Sequence, residues 1–220
     1  MIKLENIEKS YQSKVIFSHA NFEAKKGDIV LIIGKSGSGK TTLLDIIAGI
    51  KKMDAGYYFF EGSKISPNND KEMSRFRNES IGYILQDFAL IDDYTVLENI
   101  ALPAHYSSGM SKKVAKNKAR ELAGYFAIDS ILANKVKSIS GGQKQRVAIA
   151  RSLLLEPKLI LADEPTTNLD KENFAVVIDT FQKLQKQNKT IIIATHDERL
   201  EQIANQIYVI EKNNIVLKEN

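Results

Sequence analysis

Short apolar runs alternate along the chain with longer segments in which apolar residues recur at helical spacing. The apolar runs cover residues 28–33, 81–85, 159–162 and 190–194. Runs of this length predict strands that are buried on both faces of a sheet. Residues 40–48 and 171–187 have helical spacing. The alternation predicts an α/β fold with a mostly parallel sheet and helices around it.

Two regions depart from this pattern. Residues 1–24 and 56–65 are rich in aromatic and β-branched residues and predict an N-terminal antiparallel β subdomain. Residues 87–155, approximately, are without apolar strand runs and predict an inserted helical subdomain, with an amphipathic helix over residues 111–126. No repeat or linker marks a second independent domain, so residues 1–220 are expected to form a single domain.

The composition narrows the classes of function. The 220 residues include no cysteine, which excludes a disulfide scaffold and a thiolate metal site. The net charge is +4, with lysines spread among acids, which favours solvated helix faces over a nucleic-acid surface; contact with anionic lipid is the other option. With no apolar stretch of about 18 residues and no signal-like start, the chain is expected to stay in the cytosol.

A glycine-rich loop lies between the first predicted parallel strand and the helix that follows. Residues 34–41 match GxxxxGK[ST], the phosphate-binding motif of P-loop NTPases. Glycines let the backbone N–H groups point at phosphate oxygens, and the helix N-terminus adds positive charge. A chance glycine-rich turn before a lysine is the alternative, and the strand–loop–helix context argues against it. The predicted phosphate-binding residues are Gly34, Lys35, Ser36, Gly37, Ser38, Gly39, Lys40, Thr41 and Thr42.

Specific roles follow within this loop. Lys40 places a positive charge between the β- and γ-phosphates, the Thr41 hydroxyl is a Mg²⁺ ligand, and Thr42 can bond the α-phosphate. Two acids, Asp163 and Glu164, end the strand at 159–162. Asp163 can hold Mg²⁺ through a water, and Glu164 can polarise the water that attacks the γ-phosphate. Without the upstream loop, two acids after a strand would more often be a solvated turn or a helix cap.

A second glycine motif begins another predicted helix. Ser140 is placed as its N-cap, and Gly141, Gly142 and Gln143 follow. Exposed N–H groups and the helix dipole make this helix start a second anion-binding element. An ordinary capped helix is the alternative, but one chain then carries two elements suited to a triphosphate.

These motifs, in this order, resemble the ATP-binding cassette (ABC) ATPase family over essentially the whole chain. The matching segments are the Walker A loop at 34–41, the signature at 140–143, Walker B with its glutamate at 161–164, the D-loop at 168–170 and the switch-histidine loop at 195–197. The resemblance implies that Gln86 is the Q-loop glutamine, a further Mg²⁺ ligand, and that Tyr11 stacks on adenine. It implies that His196 contacts the γ-phosphate and that Asp170 lies at the nucleotide interface. Packing is the alternative role for Tyr11.

The resemblance also implies partners. Two copies of such a chain pair head to tail, each ATP lying between one copy's Walker A loop and the other copy's signature. A simple P-loop kinase would have no use for the signature. Residues 86–102 resemble the lipoprotein-release, macrolide-export and cell-division (LolD/MacB/FtsE-like) branch, in which this region meets a membrane permease. Phe88, Leu90, Ile91 and Leu102 would line a groove for a partner helix or belong to the core.

Three functions therefore stand beside one another. The first is the ATPase subunit of a membrane exporter of peptide, lipid or drug-like cargo, or of a mechanotransmission complex, bound to the inner face of the membrane through its permease. The second is a regulatory cassette that signals through a membrane partner to an extracytoplasmic enzyme. The third, a nucleic-acid or ribosome factor, is disfavoured because such relatives usually carry two cassettes in one chain. No nucleic-acid partner is expected.

Overall fold

The computed structural model describes residues 1–66, 70–107, 109–167 and 169–218. They form two compact units. The first runs from Met1 to Met73 and resumes at Leu161, and the second is Ser74–Ile160.

The first unit begins with an antiparallel sheet. Its strands are β1 (Ile2–Tyr11), β2 (Lys14–Ala24), β4 (Ala55–Phe60) and β5 (Ser63–Lys64), in the order β2-β1-β4-β5. Alternate residues of β1 and β2 are buried, since one face of the sheet packs on the core. This sheet confirms the predicted N-terminal β subdomain.

The second sheet of this unit carries the parallel strands. They are β3 (Ile29–Ile33), β7 (Leu159–Asp163, of which the last three residues belong to this unit), β8 (Thr190–Ala194) and β9 (Gln206–Glu211), with β10 (Asn214–Leu217) at the edge. The order runs β10-β9-β3-β8-β7, and β3 pairs in parallel with both β8 and β9. Every residue of β7 and β8 is buried, which explains their uninterrupted apolar sequence.

Two helices of the first unit accompany these strands. They are α1 (Lys40–Ile47), which follows β3, and α6 (Lys171–Lys186), which precedes β8. The α/β architecture with a mostly parallel sheet is therefore confirmed. The β9–β10 hairpin has no counterpart in the sequence analysis, because its polar residues at 211–214 interrupt the apolar pattern.

The second unit is mainly helical. Its helices are α3 (Val96–Ala101), α4 (Lys112–Tyr125) and α5 (Gly141–Leu153), and it contains the strand β6 (Ile81–Ile84). The helix α2 (Asp70–Ser80) spans the division between the units and was not predicted. Ser140 caps α5 as its sequence suggests, and Ser111 caps α4. Along the described stretches, no helix combines the length and the apolar character needed to cross a membrane.

Candidate functional site

The phosphate-binding motif forms the loop between β3 and α1. Gly37 and Gly39 have φ angles of +73° and +114°, in the left-handed region that favours glycine. A Cβ at Gly39 would also lie 2.7 Å from Ile16 Cγ2 and 3.2 Å from Phe17 Cζ, both on β2. Backbone conformation and packing therefore both require glycine at position 39.

An unsatisfied polar atom lies inside this loop. Ser38 Oγ is buried and has no hydrogen-bond partner in the part of the chain that the structure describes. Buried hydroxyls are rarely left unpaired, because an unmade hydrogen bond costs about 1–3 kcal/mol. A phosphate oxygen in the loop would supply the missing partner, so the loop fits a phosphate ligand.

The positive charge of Lys40 is held against the loop. Its side chain is 10% exposed and lies 3.9 Å (Nζ to Oε1) from the Glu164 carboxylate. The ammonium donates to the backbone oxygens of Gly34 at 2.9 Å and Lys35 at 3.4 Å. A buried ammonium bonded to loop carbonyls is a fixed positive charge beside the place where the loop N–H groups converge.

The hydroxyl of Thr41 and the carboxylate of Asp163 meet at the first turn of α1. Thr41 Oγ1 donates to Asp163 Oδ2 at 2.7 Å, and Asp163 is 4% exposed. Burial raises the pKa of Asp163, and the neighbouring Glu164 carboxylate adds to this, whereas the hydrogen bond from Thr41 lowers it. A divalent cation would favour the charged form of this carboxylate. Hydroxyl and carboxylate oxygens are hard ligands of the kind that Mg²⁺ prefers.

A metal at this pair would need further ligands. Among the residues that the structure describes, no group of three or more His, Cys, Asp or Glu side chains is arranged to hold a metal ion. A cation here would therefore complete its coordination with phosphate oxygens or water, which is usual for Mg²⁺ in nucleotide sites.

Glu164 follows β7 in a strained backbone conformation. Its φ is +48°, which is uncommon for a residue other than glycine, and its N–H donates to the Ala194 carbonyl at 2.8 Å. Its side chain is only 11% exposed, and Oε2 accepts from Thr195 Oγ1 at 3.2 Å. His196 contacts the same oxygen twice, through its backbone N–H at 3.4 Å and through Nδ1 at 2.9 Å. The end of β8 thus orients the carboxylate at the end of β7.

The loop after β8 is shaped by residues that the sequence analysis left without a role. Thr195 is fully buried and accepts from the Asp197 N–H at 3.0 Å. Hydrogen bonds from the guanidinium of Arg199, together with one from the Thr166 hydroxyl and one from the Arg199 backbone N–H, lower the pKa of Asp197 although partial burial opposes this. The sequence could have indicated Thr195 and Asp197, because polar residues directly after a buried strand often face a ligand site.

Tyr11 ends β1 with 40% of its surface exposed. Lys9 Nζ and Lys51 Nζ lie 5.3 Å and 5.6 Å from its ring centroid, within the range of a cation–π interaction. Hydrogen bonding to Asp45, and secondly to Tyr11, raises the pKa of Lys51 although partial burial opposes this. The ring therefore has two cationic neighbours and keeps area exposed to a ligand, and its stacking on adenine stays a prediction.

The other predicted residues of the first unit have these placements. Lys35, Ser36 and Thr41 are exposed, and Thr42 is buried in α1. Asp170 is the N-cap of α6, because its Oδ1 accepts from the Asn173 N–H at 2.8 Å. Asn168, the first residue of the predicted D-loop, lies outside the described residues.

Gln86 and the second glycine motif belong to the second unit. Gln86 is exposed, two residues after β6. Ser140 and Gln143 form a reciprocal capping box: Ser140 Oγ accepts from the Gln143 N–H at 3.3 Å, and Gln143 Oε1 accepts from the Ser140 N–H at 2.9 Å. A Cβ at Gly141 would meet no described atom within 4 Å, so packing among the described residues does not require glycine there.

Known proteins share the sequence pattern and the fold of this chain. The sequence profile of the ABC transporter family matches residues 17–167. The lipoprotein-releasing system ATP-binding protein LolD of Bacteroides thetaiotaomicron is 41% identical over 207 residues, which are 94% of this chain and 94% of that protein. The dimeric structure of MJ0796, a bacterial ABC transporter cassette, superposes with a TM-score of 0.90 at 33% identity and covers 98% of this chain and 96% of that chain.

A second structure of MJ0796 bears on the chemistry. This dimer is in a post-hydrolysis state bound to ADP and Pi, with a TM-score of 0.91 at 33% identity, covering 98% of this chain and 96% of that chain. The family match covers more than half of the chain, and the relatives span nearly all of it. The chain therefore belongs to the ABC transporter family, as an ATP-hydrolysing cassette of the LolD-like branch.

Proposed function

We propose that this chain is the ATPase subunit of a LolD-like transporter, which pairs with a second copy when ATP binds and drives a separate membrane permease. The observation that carries the proposal is the arrangement at the phosphate loop. There the fixed ammonium of Lys40 lies near the oriented carboxylate of Glu164. The hydroxyl of Thr41 bonds the carboxylate of Asp163 at the same loop.

In this proposal the loop and Lys40 bind the phosphates of ATP. The backbone N–H groups from residue 34 to residue 42 and the Ser38 hydroxyl bond the phosphate oxygens, and Lys40 neutralises charge on the β- and γ-phosphates. Thr41 and Asp163 would hold Mg²⁺, which would supply further charge neutralisation on the phosphates when it is bound. Gln86 as a further Mg²⁺ ligand stays a prediction from the resemblance. Tyr11 stacks on the adenine.

Glu164 acts as the general base. Its carboxylate accepts a proton from a water whose oxygen forms the new bond to the γ-phosphorus, while the bond to the bridging β–γ oxygen breaks. Thr195 and His196 already hold Oε2, and the water would approach Oε1, which lies 3.9 Å from Lys40 Nζ. His196 also donates to the γ-phosphate, and its side chain is 71% exposed.

The second copy completes each nucleotide site. Ser140, Gly141, Gly142 and Gln143 would contact the γ-phosphate held by the other copy, and Asp170 would lie at the same interface. Two observations support this. The related cassette MJ0796 is dimeric, and Gly141 has open space where a side chain would stand, as expected if a partner's ligand approaches it.

The proposed permease contacts residues 86–102, and the chain is held at the cytoplasmic face of the membrane through it. Phe88, Leu90 and Leu102 are half-buried and Ile91 is 38% exposed, so these apolar side chains are not enclosed in the core. The relative LolD is described as part of a lipoprotein-releasing system. Export of peptide, lipid or drug-like cargo, or mechanotransmission, is the function proposed for the complex.

Purification from native membranes tests this proposal. Tagged wild-type chain and Glu164→Gln are extracted in mild detergent with ATP or ADP, and co-purifying proteins are identified by mass spectrometry. We expect a membrane-spanning subunit in stoichiometric amount and a changed ATP turnover when the complex is placed in liposomes. Absence of any membrane subunit in all four preparations would contradict the proposal. ATP-dependent activation of a hydrolase without transport would select the regulatory alternative.

A further inference from the structure

The segment that follows Gln86, residues 87–94, contains an unusual turn. Phe88 and Ala89 have φ angles of +64° and +44°, so two consecutive residues with side chains take the left-handed conformation. In this conformation the Cβ atom of an L-residue crowds its own carbonyl oxygen. Two such residues in succession do not persist unless the surrounding structure holds them.

Arg151 of α5 holds this turn. Its Nη2 donates to the Phe88 carbonyl and its Nη1 donates to the Ala89 carbonyl, both at 2.5 Å. Burial lowers the pKa of Arg151, whereas the nearby Asp87 carboxylate opposes this. The planar guanidinium can bond two neighbouring carbonyls at once, which the single ammonium of a lysine does less well.

The backbone a few residues later is held by a second buried side chain. Asn99 is fully buried in α3, and its Oδ1 accepts from the Ile91 N–H at 2.8 Å. Its Nδ2 donates to the carbonyls of Ile91 at 3.0 Å and Thr95 at 3.1 Å. Buried amides bonded in this way fix the path of a loop that has no helix or strand pairing of its own.

Residues just before the signature motif donate hydrogen bonds to two further carbonyls of the segment. The Lys137 N–H donates to the Asp92 carbonyl at 3.1 Å, and the Val136 N–H donates to the Tyr94 carbonyl at 3.0 Å. Five backbone carbonyls of this segment are thus bonded to α3, to α5 or to the residues just before α5: those of Phe88, Ala89, Ile91, Asp92 and Tyr94. The segment is built onto the part of the chain that carries the signature.

We infer that Arg151 is a positioning residue, which locks the Phe88–Ala89 turn so that the segment after Gln86 meets the permease in a preformed shape and moves together with α5. The inference rests on the proposed permease contact for its functional meaning. Arg151 lies ten residues beyond Gly141, about 15 Å along the same helix at 1.5 Å per residue. A displacement of the segment would therefore reach the signature through one rigid helix. Preforming the segment also lowers the entropy cost of binding.

Hydrogen–deuterium exchange of the full chain tests the positioning role without any partner. We expect Arg151→Gln to increase amide exchange over residues 87–94 at least tenfold, while β3, β7 and β8 keep their protection. Arg151→Lys should give an intermediate increase. Lys144→Gln is the matched control on the same helix. It removes only an ion pair with Asp92, in which Lys144 Nζ lies 3.7 Å from Asp92 Oδ1, so amide exchange should hardly change.

A fluorescent probe gives a second measurement. The chain contains no tryptophan, so Phe88→Trp reports on this turn alone. Acrylamide quenching of that tryptophan should at least double when Arg151→Gln is added, and should not change with Lys144→Gln. If Arg151→Gln does not fold, the comparison is made with Arg151→Lys. Unchanged exchange and quenching in a folded Arg151 variant would overturn the inference.

The functional consequence is read in the complex with its membrane subunit. Arg151→Gln should leave the ATP turnover of the isolated chain within about twofold and abolish the change in turnover caused by the membrane subunit. If no membrane subunit is found, the permease proposal fails, while exchange and quenching still decide whether Arg151 positions the turn. If turnover in the complex responds normally although the turn is loosened, the coupling role is wrong.

Discussion

His196 Nδ1 lies 2.9 Å from Glu164 Oε2, although the histidine side chain is 71% exposed and the glutamate side chain is 11% exposed. An imidazole at the surface therefore reaches a carboxylate that is nearly enclosed. The Thr195 hydroxyl bonds the same oxygen at 3.2 Å. Because one oxygen is occupied by the residues that follow β8, the orientation of the other is set before any nucleotide arrives, as electrostatic preorganisation requires.

Replacement of Glu164 by glutamine should separate binding from hydrolysis. The amide keeps the size of the side chain but cannot accept the proton of the attacking water, so ATP turnover should fall by about 10²–10⁴-fold. ATP binding should persist, and ATP-bound dimer should accumulate in size-exclusion chromatography with light scattering. Turnover at the wild-type rate would show that Glu164 is not the base.

Lys40→Ala should weaken ATP binding. The variant removes the buried ammonium that bonds the Gly34 carbonyl at 2.9 Å and that would face the β- and γ-phosphates. We expect at least a tenfold higher Kd for ATP in isothermal titration, about 1.4 kcal/mol or more. Lys25→Ala, which changes an exposed lysine of the same unit, serves as the control. Equal affinity in the two variants would exclude the role of Lys40.

Thr41→Val should raise the Mg²⁺ requirement. Valine has nearly the shape of threonine but cannot ligate a cation or donate to Asp163. The Mg²⁺ concentration for half-maximal turnover is expected to rise about tenfold, with nucleotide binding in EDTA little changed. Thr41→Ser, which keeps the hydroxyl, should behave like wild type. If the valine variant shows the wild-type Mg²⁺ dependence, Thr41 is not a ligand.

Gly141→Ala should fold normally and fail to pair. A Cβ at this position meets no described atom within 4 Å, so the Tm should change by less than about 2 °C. In the Glu164→Gln background, however, the added methyl group should reduce ATP-dependent dimer at least tenfold. Gly39→Ala provides a contrast, because its Cβ would collide with Ile16 at 2.7 Å and destabilise the monomer. Normal pairing of Gly141→Ala would argue against the proposed interface.

Tyr11→Leu should lower affinity for ATP but not for inorganic triphosphate, because only the base stacks on the ring. A three- to tenfold loss for ATP is expected in competition binding, and Tyr11→Phe should keep most of the affinity. Equal losses for ATP and triphosphate would instead indicate that the ring supports the phosphate loop through Lys9 and Lys51.

The sequence by itself determined the local chemistry of this protein. Residues 34–41 specify a phosphate loop because the motif and its strand–loop–helix context are contiguous, and Ser140 caps α5 through Gln143, only three residues away. Periodicity likewise located the buried strands β7 and β8, since burial on both faces imposes an unbroken apolar run. Each of these properties depends on neighbours in the chain.

Only the tertiary structure decided which of these elements meet. Thr41 and Asp163 are 122 residues apart, Glu164 and Thr195 are 31 apart, and Arg151 and Phe88 are 63 apart. The order β3-β8-β7 brings the ends of the first two pairs to one edge of the sheet, and two left-handed residues place the Phe88 and Ala89 carbonyls within reach of Arg151. Strand order and backbone dihedrals depend on packing of the whole unit, and this packing leaves no periodic signal in the residues that it brings together.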